Sequence, residues 1–111
     1  MYRMHLDNVH FENVKEGNQN IDIRLNDKKR REFKVGDTIE FENRSDKSKL
    51  EATITELNIY TSFEELYKHE DKLSMGYKED EVACPDDMSV YYSEEDQIKN
   101  GVVAIHFTLN N

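Results

Sequence analysis

The chain has one cysteine, one proline and four glycines among its 111 residues, and no long apolar run. Each scarcity excludes something. A lone Cys84 leaves no internal disulfide framework and no multi-cysteine zinc site, which fits a reducing compartment. No stretch approaches the roughly 20 apolar residues of a membrane helix. Met1 to Asn13 carries charged and polar residues where a signal peptide needs an apolar stretch. A cytoplasmic chain with no membrane attachment is therefore expected. The sequence has no internal repeat, low-complexity tract or Gly/Pro-rich linker, so residues 1–111 are expected to form a single domain with one modest core. There is no glycine-rich phosphate loop, and nucleotide triphosphate hydrolysis has no support. The histidines His5, His10, His69 and His106 form no HExxH-type pattern. No metal and no cofactor is expected.

Charge, by contrast, is plentiful. The chain holds 24 acidic and 15 basic side chains, a net charge of -9, and its 36% of hydrophobic residues are clustered as in a folded domain. The balance argues against indiscriminate nucleic-acid binding, which rests on neutralising many phosphates. It leaves room for a local basic groove. Lys28-Lys29-Arg30-Arg31-Glu32-Phe33-Lys34 is a basic island, whereas Glu64 to Asp96 is predominantly acidic.

Strand and helix signals alternate along the chain. Met1 to Leu6 reads as a short strand, and Asp7 or Asn8 caps a helix through Val9, Phe11, Val14 and Lys15 that ends at Gly17. Ile21, Ile23 and Leu25 alternate with Asp22, Arg24 and Asn26, the pattern of a half-buried strand. Asp22 and Arg24 then emerge together on its outer face. Asn26 to Glu32 is a loop or a single helical turn. Thr38 to Phe41 and Leu50 to Leu57 read as a hairpin around an Asn43 to Ser48 loop. Ser62 and Ser93 each stand three residues before an acid, as helix caps do. Tyr77 to Tyr92 is irregular, and Val102 to Leu109 is a closing strand. Strands and hairpins of this kind predict an α+β fold with a mostly antiparallel, curved sheet or small barrel.

Each candidate for chemistry has a bland counterpart. Gln19, Asp22 and Arg24 could line a polar pocket, since arginine offers a planar fork for phosphate, carboxylate or a base edge; on spacing alone the pair reads as an ordinary ion pair on a solvated face. The basic island could meet a phosphate backbone, or simply balance neighbouring acids. Tyr91-Tyr92 could stack on a base, or pack half-buried near a helix start. Cys84 has no histidine placed beside it in sequence and reads as structural or incidental. His5 and His106, on the first and last strands, could pair in a barrel.

These residues together resemble a family. Gly17-Asn18-Gln19-Asn20-Ile21-Asp22-Ile23-Arg24 is similar to the G-x-K-x-x-E-x-R signature of the ASCH domain. Leu25-Asn26-Asp27 with Arg30-Arg31, Val35 to Phe41, Ser62 to Tyr67, Tyr91 to Gln97 and Gly101 to Ile105 continue the resemblance in order and spacing. It implies a PUA-like small mixed or antiparallel β-barrel flanked by short helices, with a cleft between the signature and the barrel. Family members are proposed to bind RNA or nucleotide-like ligands there, often in connection with translation or transcription. A bacterial branch deacetylates acetylcytidine, using a lysine and a threonine in the signature and a glutamate further along, for which Glu70 is one candidate here. In this chain Gln19 stands at the lysine position, Asp22 at the acid and threonine position, and Arg24 matches.

The resemblance and the residues lead to a small binding module for RNA or a nucleotide-like ligand, expected to be a monomer. Its site residues are Gln19, Asp22, Arg24, Lys28, Arg30, Arg31, Tyr91 and Tyr92. Arg24 would hold phosphate or a base edge, with Asp22 and Gln19 beside it and the basic island tracking the backbone. An amidohydrolase acting on a modified pyrimidine nucleoside competes, and is disfavoured because Gln19 cannot deprotonate a nucleophile. A protein-interaction module using the acidic surface is the third reading.

Overall fold

The computed structural model describes residues 1–110 of the chain. Strand β1 (Tyr2–Leu6) leads into helix α1 (Asn8–Lys15), strand β2 (Ile21–Leu25) and a one-turn helix α2 (Lys28–Arg31). Strands β3 (Thr38–Asn43) and β4 (Lys49–Tyr60) form a hairpin. Helix α3 (Phe63–His69) follows, then a long connection with a 3₁₀ turn at Pro85–Val90, helix α4 (Glu94–Asn100) and strand β5 (Val102–Leu109).

The five strands form one sheet in the order β1-β3-β4-β5-β2. All neighbours are antiparallel except β1 and β3, which run parallel. The long strand β4 has a register shift between Ile54 and Glu56. An unpaired residue there increases local twist and bends the strand. The sheet curls into a half-barrel flanked by short helices, the α+β, PUA-like architecture that the resemblance implies. Its edges β1 and β2 are joined by side chains rather than by a ladder: Arg24 Nη2 donates to the His5 carbonyl at 2.8 Å.

Strand β5 explains why the sheet can be buried on both faces. Val103, Ile105 and Phe107 point into a core with Met4, Phe11, Val14 and Phe41. Val102 and Ala104 point the other way, into a second core with Ile21, Phe63, Leu66 and Met75. A strand covered on both sides reads as a continuous apolar run rather than an alternation. Strand β2 lies beside it, so both of its faces are covered as well.

The local signals mostly fall where the sequence places them. Ser62 and Ser93 accept hydrogen bonds from the backbone N–H groups of Glu65 and Asp96 at 3.2 and 3.1 Å. Gly17, at φ +83°, ends α1 in the left-handed region that glycine accepts most readily. Asp7 is the N-cap residue of α1 but makes no side-chain cap bond. The Asn8 side chain instead accepts from the fully buried Asn43, tying α1 to the β3–β4 hairpin. Residues 26–32 supply the single turn of α2, and β4 runs on past Leu57 to Tyr60. Among the described residues no helix is long and apolar enough to cross a membrane.

Candidate functional site

A cleft of about 1460 Å³ opens beside the seam between β1 and β2. Helix α1 forms one wall, β2 the floor, and the connection from Leu73 to Tyr92 the far wall. Gln19, Asp22, Arg24, Tyr91 and Tyr92 all line it. Residues separated by some seventy positions of sequence therefore share one cavity.

Asp22 and Arg24 depart from the sequence expectation in one respect. They form the ion pair that their spacing predicts, Arg24 Nε to Asp22 Oδ2 at 2.9 Å, but the face is not solvated. Their side chains are only 9% and 14% exposed. The reason is the curl: the face of β2 opposite Ile21 and Leu25 turns into the cleft floor and the first core rather than into water. Burial alone would lower the Arg24 pKa, yet the Asp22 carboxylate and the Tyr92 phenol beside it raise it above its ordinary value. Arg24 is thus a permanent cation held in place by Asp22 and the His5 carbonyl. A guanidinium has five N–H donors, and these two bonds use only two of them.

Gln19 is 5% exposed and held at both ends of its amide. Nε2 donates to the Ile21 carbonyl at 3.2 Å, and Oε1 lies 3.0 Å from His10 Nδ1. With Oε1 facing the ring, His10 Nδ1 must be the donor. In the neutral imidazole this leaves Nε2 as an acceptor. The side chain therefore acts on the cleft largely through His10, which the sequence had offered only as a histidine without a motif. Its one local signal is the i, i+3 relation to Asn13, which lines the cleft from α1 as Val9 does. Gly76, at φ +101°, packs directly against the same amide.

The far wall is aromatic. The Tyr67 and Tyr77 rings meet edge-on with centroids 6.0 Å apart, and their hydroxyls are 2.9 Å apart. Tyr77 donates onward to Asp87 Oδ2 at 2.7 Å. Burial and, for Tyr77, the Asp87 carboxylate push both phenols up, so they stay neutral at physiological pH. Tyr92 packs near-parallel on Phe63 at 5.7 Å while its neighbour Tyr91 is 58% exposed. Burial raises the Tyr92 pKa against the opposing pull of Arg24. Tyr67, Tyr77 and Asp87 were not legible as site residues, because nothing in their local spacing marks convergence.

The basic island falls elsewhere. Lys28, Arg30 and Arg31 sit on α2, and none of them lines the cleft. Arg30 is engaged with Asp27 at 3.1 Å and with Met4 Sδ, and Arg31 with the Asn26 carbonyl at 2.8 Å. Backbone capping of α2 by Asp27, which accepts from the Arg30 N–H, turns the island away from the cavity. His5 and His106 also stay apart, since β1 pairs with β3 and β5 lies between β4 and β2. Among the described residues, no three His, Cys, Asp or Glu side chains converge in a way that could hold a metal ion.

Glu70 likewise lies outside the cleft. Its 5%-exposed carboxylate accepts from Tyr60 at 2.5 Å and from Asn58 at 3.0 Å, and contacts His106 Nε2 at 2.7 Å. Burial acts to raise its pKa, but the bonds from Tyr60, Asn58 and His106 outweigh it and hold the carboxyl below its ordinary 4.5. A folded-state pKa below the unfolded one means that the unfolded chain binds more protons across that window. The stabilisation is thus complete above about pH 5 and is lost as pH falls through the folded pKa. Glu70→Gln should therefore flatten the acid limb of stability against pH, measured by urea unfolding between about pH 3 and 7. An unchanged acid limb would show that the network has no such linkage.

Comparison with known proteins agrees with this fold. A family model for the ASCH domain matches residues 4–110. The crystal structure of hypothetical protein PH0355 is similar at 30% identity and a TM-score of 0.82, over 98% of each chain. The solution structure of protein PF0455 from Pyrococcus furiosus is similar at 27% identity and a TM-score of 0.65, over 97% of this chain and 96% of that one. No curated protein matches the chain. With the family model spanning nearly the whole sequence and the signature residues gathered in one cleft, the chain belongs to the ASCH domain family.

Proposed function

We propose that this ASCH protein is a binding module for a nucleotide-like ligand, read at its base in the cleft above Arg24 and Asp22. The observation that carries the reading is the desolvated Arg24–Asp22 pair on the floor of a cavity walled by Tyr77, Tyr91 and Tyr92. A base needs a flat apolar partner and a few fixed polar groups at its edge. Arg24 offers donors, and His10 Nε2 offers an acceptor for an exocyclic amino group. Hydrogen bonds to such groups gain strength where water is excluded.

The ligand's phosphates contribute less to this reading than its base. The cations that would track a phosphate backbone, Lys28 and Arg31, lie on α2 outside the cleft lining. The site thus favours a nucleoside, or one splayed base, over a length of RNA. Gln19, with its amide engaged at both ends, gives no support to nucleophile activation, and Asp22 is occupied by Arg24.

Calorimetric titration tests this reading. Nucleosides should bind the wild type, and Tyr92→Ala should weaken binding about tenfold, the scale of one lost base stack. A Lys28→Ala/Arg31→Ala variant should bind nucleosides like the wild type. Salt-dependent RNA binding that vanishes in the α2 variant, with no nucleoside binding at all, would replace this reading with a surface RNA-binding one.

A further inference from the structure

We propose that the cleft prefers a cationic ligand, specifically a nucleoside whose base carries a positive charge from N-methylation. The inference rests on the base-binding reading above and names the charge class that the same cavity takes. It is carried by a part of the site that reading does not use, the corner made by Tyr67, Tyr77 and Asp87.

Two observations converge there. The first is geometric. Tyr67 and Tyr77 meet at an interplanar angle of 76°, two sides of an aromatic box, and Asp87 closes the corner through its bond from the Tyr77 hydroxyl. Aromatic faces carry partial negative charge and hold cations whose charge is spread out or shielded by methyl groups. A phenol donating to a carboxylate is polarised further, which enriches its ring.

The second observation is the charge around the opening. The Arg24–Asp22 pair on the floor cancels internally. The remaining lining includes five carboxylates, from Asp7, Glu79, Asp80, Glu81 and Asp87. Among the described residues Arg44 and Lys78 are the only other full cations lining it, which leaves three net negative charges around the cavity. From Leu73 to Tyr92 the far wall has five acids against Lys78, with Lys72 Nζ bonded to the Glu79 and Glu81 carbonyls, so its field is net negative. Such a field raises the local concentration of cations and repels phosphates. A strongly hydrated ammonium gains least from aromatic walls, because it must shed water. A methylated base keeps its flat stacking surface and carries a delocalised charge, so it matches both features at once.

The test is a calorimetric comparison of matched pairs at low salt: 7-methylguanosine against guanosine and 1-methyladenosine against adenosine, with choline as a cation lacking a base. The methylated cation of each pair should bind about tenfold more tightly than its parent. Asp87→Asn, at an exposed position, should shrink that ratio to about threefold or less, with thermal unfolding followed to verify that the variant is folded. Raising the salt should shrink it as well. Equal affinity for parent and methylated nucleoside overturns the cation preference and leaves the base-binding reading standing. Binding of choline without any nucleoside overturns the base-binding reading and the methylated nucleoside with it, leaving a plain cation site. No binding by any of them overturns both.

Discussion

Arg24→Ala should destabilise the fold by about 3–5 kcal/mol, the penalty expected when one member of a buried ion pair is removed. The substitution leaves the Asp22 carboxylate, 6% exposed as a residue, without its cation. It also removes the bond from Nη2 to the His5 carbonyl, the link between sheet edges β2 and β1. Arg24→Lys should recover little of the loss, because a single ammonium cannot reach along two directions as a guanidinium fork does. Asp22→Asn in the Arg24→Ala background should recover part of it, since the uncompensated charge is then gone. Urea unfolding at neutral pH reads all three. A loss below about 1 kcal/mol for Arg24→Ala would place the pair among surface salt bridges and remove the argument for a desolvated floor.

Gly76→Ala is expected to destabilise by about 1–3 kcal/mol, with two separable causes. The backbone at φ +101° is strained for any residue with a Cβ. That Cβ would also lie 2.6 Å from Gln19 Oε1 and 3.1 Å from its Cδ. A glutamine end can usually swing aside, but this one is buried and bonded to both His10 and the Ile21 carbonyl. Moving it breaks the contact that fixes the His10 tautomer. Gln19→Ala in the Gly76→Ala background should remove the steric part and leave the backbone part, so the double variant should be less destabilised than additivity predicts. Strict additivity would mean that the two residues do not press on one another. The His10 ring resonances should shift in Gly76→Ala, as a second readout of the same contact.

How much of this was legible in the sequence follows from the range of the interactions involved. The capping serines Ser62 and Ser93, the closing glycine Gly17 and the alternation in β2 act within a few residues, and each falls where local rules place it. The resemblance, which begins at Gly17 to Arg24, implied a small barrel with a cleft beside the signature, and the five strands form the half-barrel of that architecture. Burial of Asp22 and Arg24 could not be read from alternation, because period two separates the faces of a strand without saying whether the second face meets water. The parallel pairing of β1 with β3 joins distant segments and leaves no local trace. The far wall was the least legible. Leu73 to Tyr92 has no hydrophobic period, and its course is set by individual bonds such as those from Lys72 Nζ to the carbonyls of Glu79 and Glu81 at 2.8 and 2.6 Å.

The basic island shows the same limit from the other side. Composition identifies Lys28 to Lys34 as a cationic segment, but only the turn capped by Asp27 decides which way it faces. Glu70 similarly became part of a polar network with Tyr60, Asn58 and His106, because β4, β5 and the end of α3 meet on the sheet face away from Asp22 and Arg24. Strand register fixes both outcomes: His106 is opposite Ile21 and Glu56, whereas Asp22 is opposite Ile105.

The most direct test of the central claim is an amide chemical-shift titration of the isotopically labelled protein with a nucleoside. Shifts should concentrate at Gln19, Ile23, Arg24, Tyr77 and Tyr92, around the floor and far wall of the cleft, and leave Lys28 to Arg31 and His106 unmoved. Shifts centred on α2, or none at a saturating nucleoside concentration, would contradict the assignment of the cleft as a base-binding site.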